Sequence, residues 1–410
     1  MGFMGKILLH IQLQHNSKFF SLFLLFLFLP SLLLLRAKGQ PMYDNTVAPR
    51  NSVSAIFVFG DSTSDTGNNN YVSTTFKSNF PPYGRDFFNH IPTGRFTNGR
   101  LASDFIAKYV GIKEFVPPYL DPSIRNEDLI TGVSFASAGS GFDPLTPTLS
   151  NVISLSKQLE YFKVYQTKVA ALIGEDQTQA LIRNSLFLVS AGTNDFVVNY
   201  FAVPIRRDNY TIAAYIDFCL GYVDQFMQGL WDLGARRIGV VGLPPMGCLP
   251  IVMTLYSGSV IGKRNCLNSY SDIARNYNQK LQNQLGNMQT RFADNGSRIA
   301  YLDAYSPLEA MMSHAQDYGF DEVSSGCCGT GYLEASYLCN PRSYICPDAS
   351  NLARQWIQCL WKKGLRSKTL RNREMIKRSF RFTIEECMES SFPLSFRERK
   401  KLNTSQNIIP

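Results

Sequence analysis

The sequence predicts an α/β fold in which a parallel sheet is covered by helices. Two observations carry that expectation. From Ala55 onward, short apolar runs alternate with longer segments of helical periodicity, the order that builds strand–crossover–strand units. Each short run also stops at a cluster of Gly, Asn, Asp or Pro, residues that turn the chain rather than extend it. A chain of 410 residues with 45% hydrophobic side chains has ample material for the core of such a fold. The same composition excludes collagen-like, coiled-coil and fully disordered classes.

Taken in order, strands are expected at Ala55–Phe59 (AIFVF), Leu186–Ser190 (LFLVS), Arg237–Gly242 (RIGVVG) and Arg298–Asp303 (RIAYLD). Leu101–Val110 reads as a short helix, while Tyr210–Leu233 and Tyr270–Phe292 place apolar residues at longer helical spacing. No internal repeat is present and no linker interrupts the chain before residue 350, so residues 40–350 are expected to form one domain.

The two ends differ from this body. Lys6 and Lys18 precede a 17-residue apolar run, Phe19 to Leu35, which is followed by Ala37, Lys38 and Gly39. That is the pattern of a secretory signal peptide over residues 1–39, cleaved after Gly39. A signal anchor is the competing reading, because such a run approaches the lower limit for crossing a bilayer. Nothing hydrophobic extends past Leu35, so an extracellular protein without a stable membrane span is expected. At the other end, residues 351–410 carry 14 basic and 5 acidic side chains and read as a divergent basic tail, a solvated and partly disordered extension. A basic tail can also meet an acidic partner or membrane surface.

The formal charge of +9 is therefore no nucleic-acid footprint. Residues 40–350 hold 23 basic against 27 acidic side chains, with no zinc-finger spacing and no aromatic RNA-binding signature. Nine cysteines behind an export signal favour disulfides, and most of those between Cys248 and Cys346 are expected to pair. Cys219, Cys359 and Cys387 are the candidates for unpaired positions. A metal site is not expected, since there is no Cys-x-x-Cys and the four histidines are scattered. No cofactor is implied. Asn209, Asn295 and Asn403 head Asn-x-Ser/Thr sequons and are glycosylation candidates.

In open parallel sheets, functional residues collect at the carboxyl ends of the strands. The first strand runs into Gly60-Asp61-Ser62-Thr63-Ser64-Asp65-Thr66-Gly67-Asn68-Asn69-Asn70, and the second into Gly192-Thr193-Asn194-Asp195. Ser62 follows a buried strand and a tight turn, a position that exposes a hydroxyl at the sheet edge. An ordinary Asx-type turn is the plain alternative for Gly60–Asn70. Asn194 offers a side-chain amide of the kind that completes an oxyanion hole.

Several separate motifs resemble those of plant GDSL esterases/lipases of the SGNH hydrolase superfamily. They are FVFGDSTSDTGNNN (57–70), PPYGRDF and PTGRFTNGR within 81–100, GVSFASAGSGF (132–142), GTND (192–195), GLPPMGCLP (242–250) and SGCCGTGYLEASYLCN (325–340). The similarity covers about residues 52–350. It implies a three-layer, flavodoxin-like α/β sandwich that hydrolyses carboxylic esters, lipid esters among them. Ser62 would be the nucleophile. Its backbone N–H, the N–H of Gly141 (Gly139 as the alternative) and the Asn194 amide would bind the oxyanion. No Gly-x-Ser-x-Gly elbow of the other large serine-esterase fold is present.

One part of the pattern is missing. The family base is a histidine three residues after an aspartate near the C-terminus. Ile7, Gln12, Phe87 and Met311 stand three residues before His10, His15, His90 and His314, so no Asp-x-x-His occurs in the chain. Where it would follow Cys346–Ser350, the sequence turns to NLARQWIQCLWKKGLRSK. Two readings of residues 351–410 stand, a real tail on a protein that has lost efficient catalysis or an alternative or misassembled last exon. The second function class consistent with the sequence is a non-catalytic secreted protein that binds acylated lipids or acetylated glycans.

Overall fold

The four apolar runs form four parallel strands, each within one residue of its expected bounds: β1 (Ile56–Gly60), β2 (Leu186–Ser190), β3 (Arg237–Val241) and β4 (Arg298–Leu302). They lie side by side in that order, with Ile56 opposite Leu186, Leu186 opposite Arg237 and Arg237 opposite Arg298. The computed structural model describes residues 53–256, 265–293, 296–318, 320, 323–326, 328–330 and 339–345. The signal segment, the basic tail, His10, His15, Asn295, Asn403, Cys327, Cys346, Cys359 and Cys387 lie outside these.

The outer edge of β1 is paired as well, by backbone that the sequence hides inside its glycine-rich block. Ile56 N–H donates to Thr131 O (3.2 Å), Val58 N–H to Val133 O (3.1 Å), Phe135 N–H to Val58 O (2.7 Å) and Ser137 N–H to Gly60 O (3.0 Å). The second sheet segment in the chain thus flanks the first, and the later strands extend from its other side. This is the flavodoxin-like order, with a switch point at the carboxyl end of β1.

Alternation along the strands fixes the layers, because successive side chains leave a strand on opposite faces. Ile56, Val58, Leu186, Leu188 and Leu302 form one buried cluster with Ile106 and Ala107 of α1 (Ala102–Tyr109) and Val110 just beyond it. Phe57, Phe59, Phe187, Val189, Ile238 and Val240 form the larger cluster on the opposite face. There they meet α2 (Leu155–Ile173), α3 (Ile212–Asp232) and α4 (Asn268–Arg291) through residues such as Phe162, Phe226 and Leu281. The three-layer sandwich is borne out. α1, α3 and α4 match their expected spans within two residues. α2 was not anticipated, although Leu155, Gln158, Phe162, Tyr165 and Val169 make a buried stripe at spacings of three and four and Ser154 Oγ caps it by accepting Lys157 N–H at 3.1 Å.

One motif residue serves this frame. Arg95 of PTGRFTNGR is 5% exposed and pairs with Asp104 on α1, Nε to Oδ2 at 3.0 Å. Asp104 also accepts the N–H groups of Leu101 and Val116, both at 2.8 Å. Among the described cysteines, Cys248 pairs with Cys266 and Cys328 with Cys339, while Cys219 is a buried free thiol, as expected.

Candidate active site

Most of the polar density after β1 holds the loop together. Gly60 N–H donates to Gln158 Oε1 and Gly60 O accepts Gln158 Nε2, both at 2.9 Å, so one buried side chain of α2 grips the end of the strand. Asp61 N–H reaches Ser190 O (2.9 Å), and Ser64 and Asp65 N–H both return to Asp61 O (3.0 and 2.9 Å), closing a turn around Ser62. The Asp61 carboxylate accepts Thr63 N–H (2.9 Å) and Thr63 Oγ1 (2.8 Å).

Further along, the same loop is stitched to residues 132–142. Asp65 accepts the N–H groups of Gly67 (2.8 Å), Asn68 (2.7 Å) and Ala138 (3.0 Å). Asn68 donates to Ser134 O and Ala136 O, each at 2.8 Å, and Asn69 donates to Ala138 O at 3.0 Å. The plain turn reading therefore accounts for Asp61, Asp65, Asn68 and Asn69. It does not account for Ser62, which is half-buried and whose hydroxyl and backbone N–H take no partner among the described residues.

The glycine segment and the second loop meet each other. Asn194, half-buried at the end of β2, donates one of its two amide hydrogens to Ser140 O at 2.8 Å and keeps the other. Gly139 and Gly141, either side of Ser140, are buried, and neither N–H has an acceptor among the described residues. Gly139 has φ +87°, a conformation that favours glycine; Gly141 is glycine for another reason, since a Cβ there would lie 2.0 Å from Asp195 Oδ1. Thr63 Oγ1 and Ser190 Oγ, 2.7 Å apart, join the first loop to β2. Asp61, Thr63, Ser190 and Thr193 border a cleft that Leu188, Val241 and Leu302 also line.

Neither described histidine stands among these groups. His90 lies exposed in the turn Phe88–His90 with its Nδ1 2.5 Å from Arg85 O, and His314 is exposed at the end of the helix Tyr305–Ser313 with its Nδ1 3.3 Å from Ala310 O. Neither borders the cleft.

Against known proteins, the model of GDSL-like lipases/acylhydrolases matches residues 56–350. The chain belongs to the GDSL-like lipase/acylhydrolase family. It is 58% identical over 301 residues to GDSL esterase/lipase At5g45960 of Arabidopsis thaliana, which covers 73% of this chain and 80% of that protein. It is 46% identical to GDSL esterase/lipase At1g06990 (72% and 81% covered) and 43% identical to GDSL esterase/lipase At2g40250 (82% and 91% covered), both also of Arabidopsis thaliana. In this GDSL-family chain, the matched region ends at the residue after which the sequence departs from the expected Asp-x-x-His ending.

The carboxylates of the GDSL-family site make its stability depend on pH. Burial pushes Asp61 and Asp65 up to about 6 and Asp195 up to about 7, against hydrogen bonds that act the other way. Between an unfolded carboxyl value near 4 and these raised values, the folded state holds more protons than the unfolded one. The stabilisation is fully present below about pH 4 and is lost as pH rises through about 6 to 7. Burial alone would raise Asp143 too, but hydrogen bonds from Arg206, Leu145 N–H and Tyr215 bring it below the usual range, so its contribution disappears only in stronger acid. The melting temperature is therefore expected to rise by several degrees when the pH falls from about 7.5 to about 5. A calorimetric series with a flat or falling trend over that range would show the three groups ionised throughout.

Proposed function

We propose that this protein is a carboxylic ester hydrolase working through a Ser62 acyl-enzyme, and that its own ending leaves it slow. The observation that carries the reading is the selective freedom of Ser62. Its neighbours Asp61, Thr63 and Asp65 are committed to holding the loop, while its hydroxyl is left unpaired at the sheet's switch point. Three donors suit the oxyanion that forms when Ser62 Oγ adds to an ester carbonyl: the Ser62 N–H, the Gly141 N–H (Gly139 as the alternative) and the uncommitted hydrogen of the Asn194 amide. Removing one such donor typically costs about 10² to 10³ in rate. Collapse of the tetrahedral adduct expels the alcohol and leaves the acyl-enzyme, which water then hydrolyses. Each step needs a proton moved to or from oxygen, and no histidine in the described site can do it. Hydrolysis of a reactive aryl ester, compared with Ser62→Ala, tests the reading.

The missing base also supports the second reading, a secreted protein that keeps the fold to bind acylated lipids or acetylated glycans. Binding that survives in Ser62→Ala without turnover in any form of the chain would favour it.

Export accords with both readings. No helix among the described residues is long and apolar enough to cross a membrane, the sequon residue Asn209 is exposed, and disulfides are formed. N-terminal sequencing of secreted protein should give Gln40 first, from cleavage after Gly39. A retained Phe19–Leu35 segment would mean a membrane anchor instead.

A further inference from the structure

Asp195 follows the proposed oxyanion donor directly, yet its carboxylate is fully buried and does not line the cleft. It stands at the start of a π-helical stretch, Asp195–Ala202, packed against the glycine segment. Oδ2 accepts Phe142 N–H at 2.8 Å, Oδ1 accepts Asp143 N–H at 3.2 Å, and the Thr146 hydroxyl donates to Oδ1 as well. Two successive peptide N–H groups on one carboxylate fix the plane and height of the chain immediately after Gly141. On the other side of Gly141, Nδ2 of the preceding residue Asn194 holds Ser140 O. Gly141 is thus pinned on both sides by consecutive residues of the second loop, with no room for a side chain between its Cα and the carboxylate.

A second tier keeps this clamp from sliding. The Asp143 carboxylate takes Arg206 in a two-point pair, Nε to Oδ2 at 2.7 Å and Nη2 to Oδ1 at 2.6 Å. It also accepts Tyr215 Oη at 2.8 Å, and that hydroxyl lies 3.2 Å from Asp195 O. Asn199 Nδ2 donates to Thr146 Oγ1 at 2.7 Å. None of these groups lines the cleft bordered by Asp61 and Thr63; together they fix the glycine segment against the Asn194 loop.

We infer that Asp195 is the positioning residue of the oxyanion hole, locking the glycine segment onto the Asn194 loop through the N–H groups of Phe142 and Asp143. The inference rests on the Ser62 acyl-enzyme reading and deepens it. Asp195→Asn is the informative change: it keeps size and one acceptor but turns an NH₂ donor toward a peptide N–H that needs an acceptor. A misplacement of about 1 Å at a reacting centre costs on the order of 10²-fold in rate.

The experiment uses the full chain and a single turnover, so that slow catalysis is no obstacle. Acetylation of Ser62 by p-nitrophenyl acetate is followed by peptide mass, as a function of ester concentration, alongside amide hydrogen exchange of residues 139–143. In Asp195→Asn the limiting acylation rate should fall about 10- to 100-fold while the half-saturating ester concentration stays within about twofold. Exchange should quicken at Phe142 and Asp143 while the sheet amides remain protected. A control, Tyr165→Phe, removes a buried hydrogen bond from α2 to Leu129 O (2.8 Å) without touching any residue of the clamp, and should move the rate far less. Equal limiting rates in wild type and Asp195→Asn would overturn the inference, as would equal losses in Asp195→Asn and Tyr165→Phe. No acetylation of Ser62 in the wild-type chain would overturn the acyl-enzyme reading itself, and the positioning role with it.

Discussion

With its own ending, the chain is expected to turn over a short-chain aryl ester on the order of 10⁶-fold more slowly than a version whose residues after Ser350 carry a family-type ending with Asp-x-x-His. The reason is the proton on Ser62. A serine hydroxyl at neutral pH is a poor nucleophile until a neighbouring base removes that proton, and the same base must later protonate the leaving alcohol. In the proposed reading the nucleophile and the oxyanion donors are the Ser62 hydroxyl, just past β1, and the N–H groups of Ser62, Gly139 and Gly141, none of which has a partner among the described residues. The histidine base has no counterpart among the described residues, because His90 and His314 are exposed and lie against carbonyls of their own turns. Oxyanion binding alone leaves about 10³- to 10⁴-fold over water, which most assays miss. The comparison therefore needs purified protein and a Ser62→Ala control against contaminating esterase. Robust hydrolysis by the unaltered chain that vanishes in Ser62→Ala would refute the missing-base argument, and His314 or His90 would be the next residue to change.

How much of this could be read from the sequence depends on the range of the forces involved. The four strands were legible because a buried parallel strand leaves a local signature, a short apolar run stopped by turn residues. The edge segment 131–137 was not, since Gly132, Ser134, Ala136 and Ser137 give it a low strand propensity and the segment pairs with β1 only because tertiary packing brings it there. α2 hid for a related reason: Gln158 breaks its apolar stripe. That break was itself the missed signal, because a lone amide in a buried stripe needs a partner, and here the partner is Gly60, 98 positions away.

Site residues divide in the same way. Ser62 and Asn194 stood out through short motifs placed after predicted strands. The clamp of Asp195 on Phe142 and Asp143 spans 53 and 52 positions, and the Asp143–Arg206 pair spans 63, so no local pattern announces either. Polar density was also misleading as a guide to chemistry. In Gly60–Asn70 most of the carboxyl and amide groups build the loop, and the proposed nucleophile, Ser62, is the group they leave without a partner among the described residues.

Gly60→Ala should be among the most damaging single changes in the domain, costing more than about 4 kcal/mol of stability. Two separate penalties meet there. Gly60 has φ +132°, where a residue with a Cβ is strained by about 1 to 3 kcal/mol. The added Cβ would also lie 1.8 Å from Ser190 O, a backbone atom of the neighbouring strand rather than the end of a flexible side chain. Neither side can yield cheaply. Ser190 O holds Asp61 N–H, while Gly60 is held through its own N–H by Gln158 and through its carbonyl by Gln158 and Ser137 N–H. Moving the strand end leaves some of these buried groups unpaired, at about 1 to 3 kcal/mol each. Gly286→Ala is the matched control: the same methyl is added on an exposed face of α4 with nothing within 4 Å, and it should stabilise by about 0.5 to 1 kcal/mol through helix propensity and a less flexible unfolded chain. Denaturation midpoints should therefore move in opposite directions for one chemical change made at two sites. A Gly60→Ala protein with the wild-type midpoint would mean that the β1–β2 junction gives way at no cost, and that the turn presenting Ser62 is not fixed by the contacts described.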